Sequence, residues 1–559
     1  MGDVGWQGVG NAIRLRMRRQ TPLKTLGLRR SPQGTSGAGR RAAGAVVEDF
    51  FPGQIDSGPR PRSAIREDPR MTAASAVARA LCTGALMSLL PAAAPAARGA
   101  DLVAGAATVS VTPDRPVALW GQMHTRISTG VASPVTATVL LLESRDGDRS
   151  LGTTTFVACD LVAIPDDALA AIRTKVAAAI AGFPVERIVA SATHTHTAPV
   201  LLEGVYDIPA GGVMQPADYV DFFATRVAEG IRTAWEGRRP CTIGWGMGHA
   251  VVAQNRRSVY ADNTAVMYGA TDKPEFRMIE GYEDHALDAL FVWDLEGKLL
   301  ATTILVACPA QEVEGNGQID ADFWHPVREA LRAEHGADLH VLAWTGAAGD
   351  QSPHLMFRKG AEERMRRLRG VSRLEEIAAR IVAGWKEALH GAAQEKLASV
   401  PLEHRFDRVT LPRRVVSERE AELAKEKIRE LSGSPGNATL LWWHGGVVER
   451  WERQQSGDAT PFTTEVHVVR IGDVAVATNQ FELYTDFGIA IQARSPALQT
   501  FVVQLAGPGT YLPSARAARG GGYSATPESN EVGPEAGQVL VDHTVSVLRT
   551  LFEPPAPAR

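Results

Sequence analysis

The chain has 559 residues, of which 45% are hydrophobic and 6% aromatic, and its formal net charge is −4. This length and composition are typical of a globular protein with one large or two ordinary domains. The near-neutral charge gives no support for nucleic acid or an anionic membrane as a partner.

The first hundred residues differ from the rest. Residues 1–70 are basic, rich in Gly and Pro and without aliphatic periodicity, which predicts a disordered extension. We interpret it as sequence upstream of a true start at Met71, and whether it is translated stays open. From Met71 the sequence runs through Arg79, then through an apolar segment at 80–90 and small residues up to Ala100, in the order of a signal peptide. We therefore expect export, periplasmic or secreted, with a mature chain beginning near Asp101. The apolar segment is too short and too alanine-rich for a membrane span, and no later segment qualifies.

Three strand–helix–strand units are predicted in the body of the chain. Their strands and helices fall at 155–160, 166–181 and 187–193; at 299–307, 321–334 and 339–344; and at 473–478, 483–493 and 500–505. Because such a connection joins parallel strands, we predict the α/β class, with a mixed, largely parallel sheet core built from βαβ units and helices on its faces. The charged helical stretch at 417–432 is interpreted as a solvated insertion rather than a site.

Reactive side chains follow the ends of these strands. His194 and His196 come after the second strand, and two histidines one residue apart on a regular strand share a face. The spacing leaves open whether both reach one ion or one faces a substrate instead. The remaining strand-end residues are Cys308, Ser352, Glu482 and Tyr511. Ligands bind outside the carboxyl ends of parallel strands, so these residues are predicted to form a site.

Four motifs in this order resemble those of the neutral/alkaline non-lysosomal ceramidases. They are Thr-His-Thr-His at 193–196, Gly-Asp-Gln-Ser-Pro at 349–353, Phe-Glu at 481–482, and the tyrosines Tyr511 and Tyr523. The resemblance runs from about Leu102 to about Ser524. Each motif alone is weak, but the four in order at predicted strand ends are fairly specific.

The resemblance implies a role for each of these residues. In that family a zinc ion is held by two histidines, a glutamate and a tyrosine, and a serine attacks the carbonyl of an N-acyl amide. The residues that match zinc ligands are His194, Glu482 and Tyr511, and Ser352 matches the nucleophile. The residues that would hold the scissile amide and its oxyanion are His196, Arg256 and Tyr523. Zinc with nitrogen and oxygen ligands can activate a hydroxyl group and polarise a carbonyl.

The sequence departs from the family at the second zinc histidine, whose place is taken by Cys308-Pro309. A thiolate is a good zinc ligand, so Cys308 is expected to substitute directly. The alternatives are that Gln311, Glu312 or His325 moves in, or that the metal binds weakly or not at all. The chain also ends near where the family's C-terminal immunoglobulin-like domain would begin, so we expect residues 101–559 to form one catalytic domain without that module.

The resemblance thus implies an exported, zinc-dependent hydrolase that cleaves a linear N-acyl amide bond, with a ceramide-like sphingolipid among its candidate substrates. The implied partners are Zn²⁺ and a small-molecule or lipid N-acyl substrate, with transient contact to a membrane surface, no transmembrane span and no nucleic acid. Two alternatives stay open. One is a hydrolase of a different N-acyl or ester substrate, such as an acylated sugar or peptide. The other is a non-catalytic binding protein with a degenerate metal site.

Overall fold

The computed structural model describes residues 101–458 and 460–553. The predicted extension at 1–70 and the predicted signal peptide at 71–100 lie outside these residues, so both stay predictions. Among the described helices, none has the length and apolar character that crossing a bilayer requires.

The strands of the described residues are, in chain order, β1 (Asp101–Ser110), β2 (Thr136–Asp146), β3 (Arg149–Cys159), β4 (Ile188–Ala192), β5 (Arg239–His249), β6 (Gln254–Asn255), β7 (Arg257–Tyr260), β8 (Ala265–Met267), β9 (Phe276–Ile279), β10 (Ala286–Asp294), β11 (Leu299–Val306), β12 (His340–Thr345), β13 (Gln351–Ser352), β14 (Leu402–Leu411), β15 (Phe462–Ile471), β16 (Val474–Thr478), β17 (Glu482–Leu483), β18 (Gln499–Val503) and β19 (Tyr511–Leu512).

The α-helices of the same residues are α1 (Asp166–Ala179), α2 (Pro216–Glu236), α3 (Trp324–His335), α4 (Lys359–Arg369), α5 (Arg373–Ala392), α6 (Glu418–Leu431), α7 (Ala438–Gln455), α8 (Thr485–Arg494), α9 (Ala515–Gly520) and α10 (Pro534–Phe552). The predicted solvated stretch at 417–432 is α6. It begins at a capping box formed by Ser417 and Glu420, and it packs on α7 through Ala421 and Ala424.

The main sheet has eight strands in the order β12-β11-β10-β5-β1-β2-β3-β4. Its parallel pairs are β3 with β4 and β11 with β12. A four-stranded sheet, β14-β15-β16-β18, contains the third parallel pair, β16 with β18. These are the three predicted βαβ units, and the α/β class is confirmed. The other pairs in both sheets are antiparallel, and some of them, such as β2 with β3, are joined by a short connection that returns the chain along its neighbour. The sheets are therefore mixed, with parallel pairing confined to the three units.

The layers are ordered helix, sheet, sheet, helix. Along β2 the side chains alternate: Val139 and Leu141 pack under α1 and α2, whereas Leu140 and Leu142 face the four-stranded sheet. Helices α3 and α5 cover the same outer face beside β10 and β11, and α8 and α10 cover the outer face of the four-stranded sheet. These six helices thus lie on the outer faces, and apolar side chains fill the space between the two sheets.

Candidate active site

His194 lies in the loop that leaves β4. Its backbone has φ of 67°, a conformation that non-glycine residues adopt at an energetic cost and that concentrates at functional sites. Its Nδ1 lies 2.6 Å from the carbonyl oxygen of Val162. Because a carbonyl only accepts, Nδ1 carries the proton and donates it. The other ring nitrogen, Nε2, lies 3.2 Å from Oε2 of Glu482.

Glu482 and Tyr511 are brought side by side by the parallel pairing of β17 and β19. Burial alone would raise the pKa of Glu482, but the charges of His194 and Arg256 and hydrogen bonds from His194 and Tyr511 outweigh it and lower the pKa. The carboxylate is therefore held as an anion. It faces one imidazole nitrogen and one phenol oxygen.

Arg256 connects this group to a second one. The guanidinium is almost fully buried, and its Nη2 donates to the hydroxyl of Tyr511 at 3.0 Å and lies 3.8 Å from Glu482 Oε2. Its Nη1 donates to the hydroxyl of Tyr268 at 3.2 Å. One planar cation thus touches residues from β19 and from the loop after β8.

Ser352 belongs to the second group. It lies on β13, which pairs with β6 so that Ser352 faces Gln254. The Ser352 Oγ accepts a hydrogen bond of 3.0 Å from the Tyr268 hydroxyl and one of 3.1 Å from the backbone N–H of His354. The residue is fully buried. Since a hydroxyl oxygen has two lone pairs, both acceptor positions of Ser352 are occupied.

His196 and Glu314 lie between the two groups. Gln311 Nε2 donates to His196 Nε2 at 2.8 Å, and the opposite ring nitrogen, Nδ1, lies 3.0 Å from Glu314 Oε2. The other oxygen of Glu314 lies 3.1 Å from Nε2 of His354. Burial alone would raise the pKa of Glu314, but these two histidines outweigh it and hold the pKa well below its usual range. Glu314 is thus an anion clamped between two imidazoles.

Two cavities meet at this point. The first, about 560 Å³ and called the aromatic cavity, has the predicted site residues His194, His196, Glu482, Tyr511 and Tyr523 at one end and a wall that includes Trp120, Trp442, Trp443 and Phe462. The second, about 1140 Å³ and called the polar cavity, is lined by Tyr268, Glu312, Glu314 and His354 and by charged residues of α4 and α5. The pair of His196 and Glu314 spans the boundary, with one residue in each cavity.

Cys308 does not join this group. Its buried thiol hydrogen-bonds to the carbonyl of Pro309 at 3.7 Å and packs in the apolar cluster under α3 and α5. Burial raises the pKa of the thiol well above its usual value, and Asp322 adds to the effect. In residues 101–458 and 460–553, no three side chains drawn from His, Cys, Asp and Glu are grouped so as to hold a metal ion. In the structure Cys308 therefore lies apart from the other predicted ligands, and its role as a zinc ligand stays a prediction.

The remaining donors nevertheless suit zinc. Because His194 Nδ1 donates to a backbone carbonyl, release of a proton from Nε2 would leave that nitrogen with a lone pair, which is the usual orientation of a zinc-bound imidazole, and Nε2 faces an anionic carboxylate. Two electron-rich atoms at 3.2 Å need a proton or a cation between them. The Tyr511 hydroxyl hydrogen-bonds to the same carboxylate. The candidate zinc ligands are therefore one nitrogen, of His194, and two oxygens, of Glu482 and Tyr511. Three protein ligands and an open position are what catalytic zinc uses.

The structure thus gathers most of the predicted residues. His194, His196, Arg256, Glu482, Tyr511 and Tyr523 are contiguous, and Ser352 is linked to them through Tyr268. Of the alternatives for the second histidine, Gln311 contacts His196 and Arg256, and Glu312 lines the polar cavity. His325, on α3, lines neither cavity.

Sequence reasoning missed Tyr268, Glu314 and His354. His354 directly follows the Gly-Asp-Gln-Ser-Pro motif, so its position was a usable signal. Tyr268 and Glu314 lie in irregular segments whose proximity to the site no local pattern indicates.

Comparison with solved structures places the fold. A crystal structure of neutral ceramidase from Pseudomonas aeruginosa superposes with a TM-score of 0.59 at 16% identity, covering 82% of this chain and 76% of that one. A ceramidase complexed with C2 superposes with a TM-score of 0.56 at 17% identity, covering 82% and 77% of the two chains. No family model and no curated protein matches the sequence. The chain therefore has the fold of the neutral ceramidases, and the resemblance inferred from the four motifs is confirmed at the level of the fold.

Proposed function

We propose that this chain is a hydrolase of N-acyl amides, with Ser352 as its nucleophile. The observation that carries the proposal is the bridge by Arg256, which joins Ser352, through Tyr268, to the group of His194, Glu482 and Tyr511. The neutral ceramidase fold supports the same reaction class. One hydrogen-bonded network thus contains a hydroxyl nucleophile, a buried cation and the candidate metal ligands. These are the components that acyl transfer requires.

In this proposal His194, Glu482 and Tyr511 hold the zinc ion. When bound there, zinc supplies a Lewis acid that polarises the carbonyl of the amide. Cys308 is not included, because its thiol faces the apolar cluster and not this group.

The chain's own residues would bind the substrate and stabilise charge. The aromatic cavity takes the acyl group, since its wall offers indole and phenyl rings. Arg256 and Tyr523 stabilise the oxyanion that forms when Ser352 Oγ attacks the carbonyl. The C–N bond then breaks as the proton released by Ser352 Oγ passes to the nitrogen, which leaves as an amine, and water hydrolyses the serine ester to a carboxylic acid and restores the serine hydroxyl.

Tyr268 would control the reactivity of Ser352. Both acceptor positions of the serine oxygen are filled in the structure, one of them by the Tyr268 hydroxyl. Attack requires a lone pair, so the Tyr268 hydroxyl has to turn away or accept the serine proton instead of donating. Arg256 Nη1 stays within reach to hold the phenol oxygen in that second arrangement.

The test is turnover of a panel of N-acyl and ester substrates by the full-length protein. We expect release of the amine from N-acyl amides by the wild type and none by Ser352→Ala. Tyr268→Phe should keep substrate binding and lose kcat by about 10²-fold, the lower end of the effect of a positioned proton-transfer group. Turnover that survives Ser352→Ala would overturn the assignment of the nucleophile.

A non-catalytic binding protein is the second candidate. It is favoured by the full burial of Ser352 and by the occupation of both its acceptor positions. Tryptophan fluorescence of the aromatic cavity reports ligand binding without turnover, so saturable quenching by an N-acyl amide with no product released would favour this candidate.

Export belongs to the proposal as well. It rests on the order of Arg79, the apolar segment at 80–90 and the small residues up to Ala100. Sequencing the amino terminus of protein recovered from outside the cytoplasm tests it, and a terminus near Asp101 is expected.

A further inference from the structure

The polar cavity adjoins the nucleophile through two of its lining residues. Tyr268 and His354, which both contact Ser352 Oγ, line it, and Glu314 separates it from His196. Its volume of about 1140 Å³ is twice that of the aromatic cavity, about 560 Å³. A substrate with its scissile bond at Ser352 therefore has space for a second substituent here.

Three polar atoms of residues that line this cavity are buried and have no hydrogen-bond partner within the protein. They are Glu312 Oε2, Arg366 Nε and Arg373 Nε. The groups of opposite charge beside them lie within ion-pair distance but too far away for a hydrogen bond. Glu312 Oε2 is 3.7 Å from Arg373 Nε and 3.8 Å from His354 Nδ1, and Arg366 Nε is 3.9 Å from Glu376. Buried polar atoms are normally satisfied by protein or water. The charged residues that carry these atoms make the wall of the cavity suited to a polar rather than an apolar substituent.

Among the exposed residues that line this cavity and form no ion pair within the described part of the chain, Arg358 and Lys359 are basic and Asp272 is acidic, so the net charge of these three is positive. Arg358 and Lys359, at the start of α4, are exposed and line the cavity. Within the described part of the chain neither forms an ion pair, whereas Glu314 is bound by two histidines and Glu363 by Arg366. Arg358 is held with φ of 56°, its guanidinium 4.9 Å from the ring of Phe357. Guanidinium and ammonium groups without partners attract anions.

We propose that the polar cavity binds the amine portion of the substrate and that this portion carries an anionic group, a carboxylate or a phosphate, beside Arg358 and Lys359. The inference rests on the proposed function and names its substrate class: N-acyl amines with an anionic leaving group, such as N-acyl amino acids. The anionic end lies among cations, the scissile amide at Ser352 and the acyl group in the aromatic cavity.

Equilibrium binding to Ser352→Ala protein tests the inference without turnover. The probes are N-dodecanoylglycine, O-phospho-N-dodecanoylethanolamine and neutral N-dodecanoylethanolamine, which share one acyl group. We expect at least one anionic probe to bind about tenfold more tightly than the neutral one, a typical effect of one charge-assisted pair. The difference in affinity between the two anionic probes shows whether the cavity prefers a carboxylate or a phosphate.

The matched variants are Arg358→Gln combined with Lys359→Gln, and Arg367→Gln as the control. Arg367 is an exposed arginine of α4 that does not line the cavity. The double variant should lose the preference for the anionic probes, and the control should keep it. Equal binding of all three probes, no binding of any, or a preference that survives in the double variant would overturn the inference.

The KM values of the wild type give a second readout that does not depend on the folding of Ser352→Ala protein. They should show the same preference for anionic over neutral substrates, and the double variant should abolish it. If neutral and anionic amides are hydrolysed with equal KM, the hydrolase proposal stands and this inference fails. If none is hydrolysed while the preference in binding persists, the hydrolase proposal fails instead.

Discussion

Arg256 donates through Nη2 to the hydroxyl of Tyr511 at 3.0 Å, and the same guanidinium donates through Nη1 to Tyr268. A planar fork with fixed donors is suited to hold two hydroxyl groups at once. Tyr268 in turn contacts Ser352 at 3.0 Å. The orientation of the Arg256 side chain therefore sets the position of the nucleophile relative to the candidate metal ligands.

Replacement of Arg256 by lysine should therefore separate the effect of the positive charge from the effect of the two hydrogen bonds that the guanidinium donates. An ammonium group keeps the positive charge but cannot span both phenols. We expect Arg256→Lys to lower kcat by about 10²-fold or more, as the loss of an oxyanion donor does, with a smaller change in KM. Steady-state kinetics checks this, and circular dichroism verifies folding. An unchanged kcat in the folded variant would contradict the role of the fork.

Metal content distinguishes the structural assignment of ligands from the sequence-based one. His194 and Glu482 face each other at 3.2 Å, while Cys308 lies in the apolar cluster. Elemental analysis should find about one zinc per chain in the wild type, as for a catalytic site. We expect His194→Ala and Glu482→Gln to lose most of it and Cys308→Ala to retain it. Loss of zinc in Cys308→Ala would restore the assignment made from the sequence.

Trp443 should determine the preference for acyl length. It lines the aromatic cavity, and its ring stacks on Tyr523 with centroids 5.6 Å apart. Trp443→Ala removes apolar surface that a long acyl group would cover, so KM for a long-chain amide should rise about tenfold. Amides with a short acyl group, which do not reach the ring, serve as the internal control. An equal rise in KM for short and long substrates would show that the variant disturbs the site and not the acyl-binding wall.

The sequence predicted the parts of the fold that are local. Each βαβ unit is encoded within about 50 consecutive residues by apolar runs around a helical period, and all three form as predicted. The packing of the second sheet against the first depends on contacts between distant segments. Leu140, for example, shares one apolar cluster with Val469 and Phe501.

The distinction between local sequence patterns and contacts of distant segments also applies to the site. His194, Glu482 and Tyr511 were found because they follow strands or belong to a motif. Tyr268 was not, because it is 84 residues from Ser352 and lies in an irregular segment with φ of 54°. The packing of Cys308 could not be predicted for a related reason. Its place in a Cys-Pro pair suggested a ligand, but the direction of a side chain in a loop is set by its packing, here against apolar residues of β10, α3 and α5.

A buried carboxyl group away from the site makes stability depend on pH. Asp288 lies on β10 and accepts a hydrogen bond of 2.7 Å from Gln499. Burial raises the pKa of Asp288 to about 7, with Asp284 adding to the rise and Gln499 and His249 opposing it. In the unfolded chain the same group has a pKa of about 3.9.

Between these two values the folded state retains a proton that the unfolded state has released. The stabilising contribution is therefore complete below about pH 4 and decreases, by up to about 1.4 kcal/mol per pH unit, until about pH 7. Asp288→Asn keeps the acceptor for Gln499 and cannot ionise, so it should remove this decrease and be more stable than the wild type above about pH 7. Chemical denaturation across this range measures the difference, with the exposed Asp146→Asn as the control. Parallel pH profiles for the wild type and Asp288→Asn would show that Asp288 is ionised in the folded protein throughout.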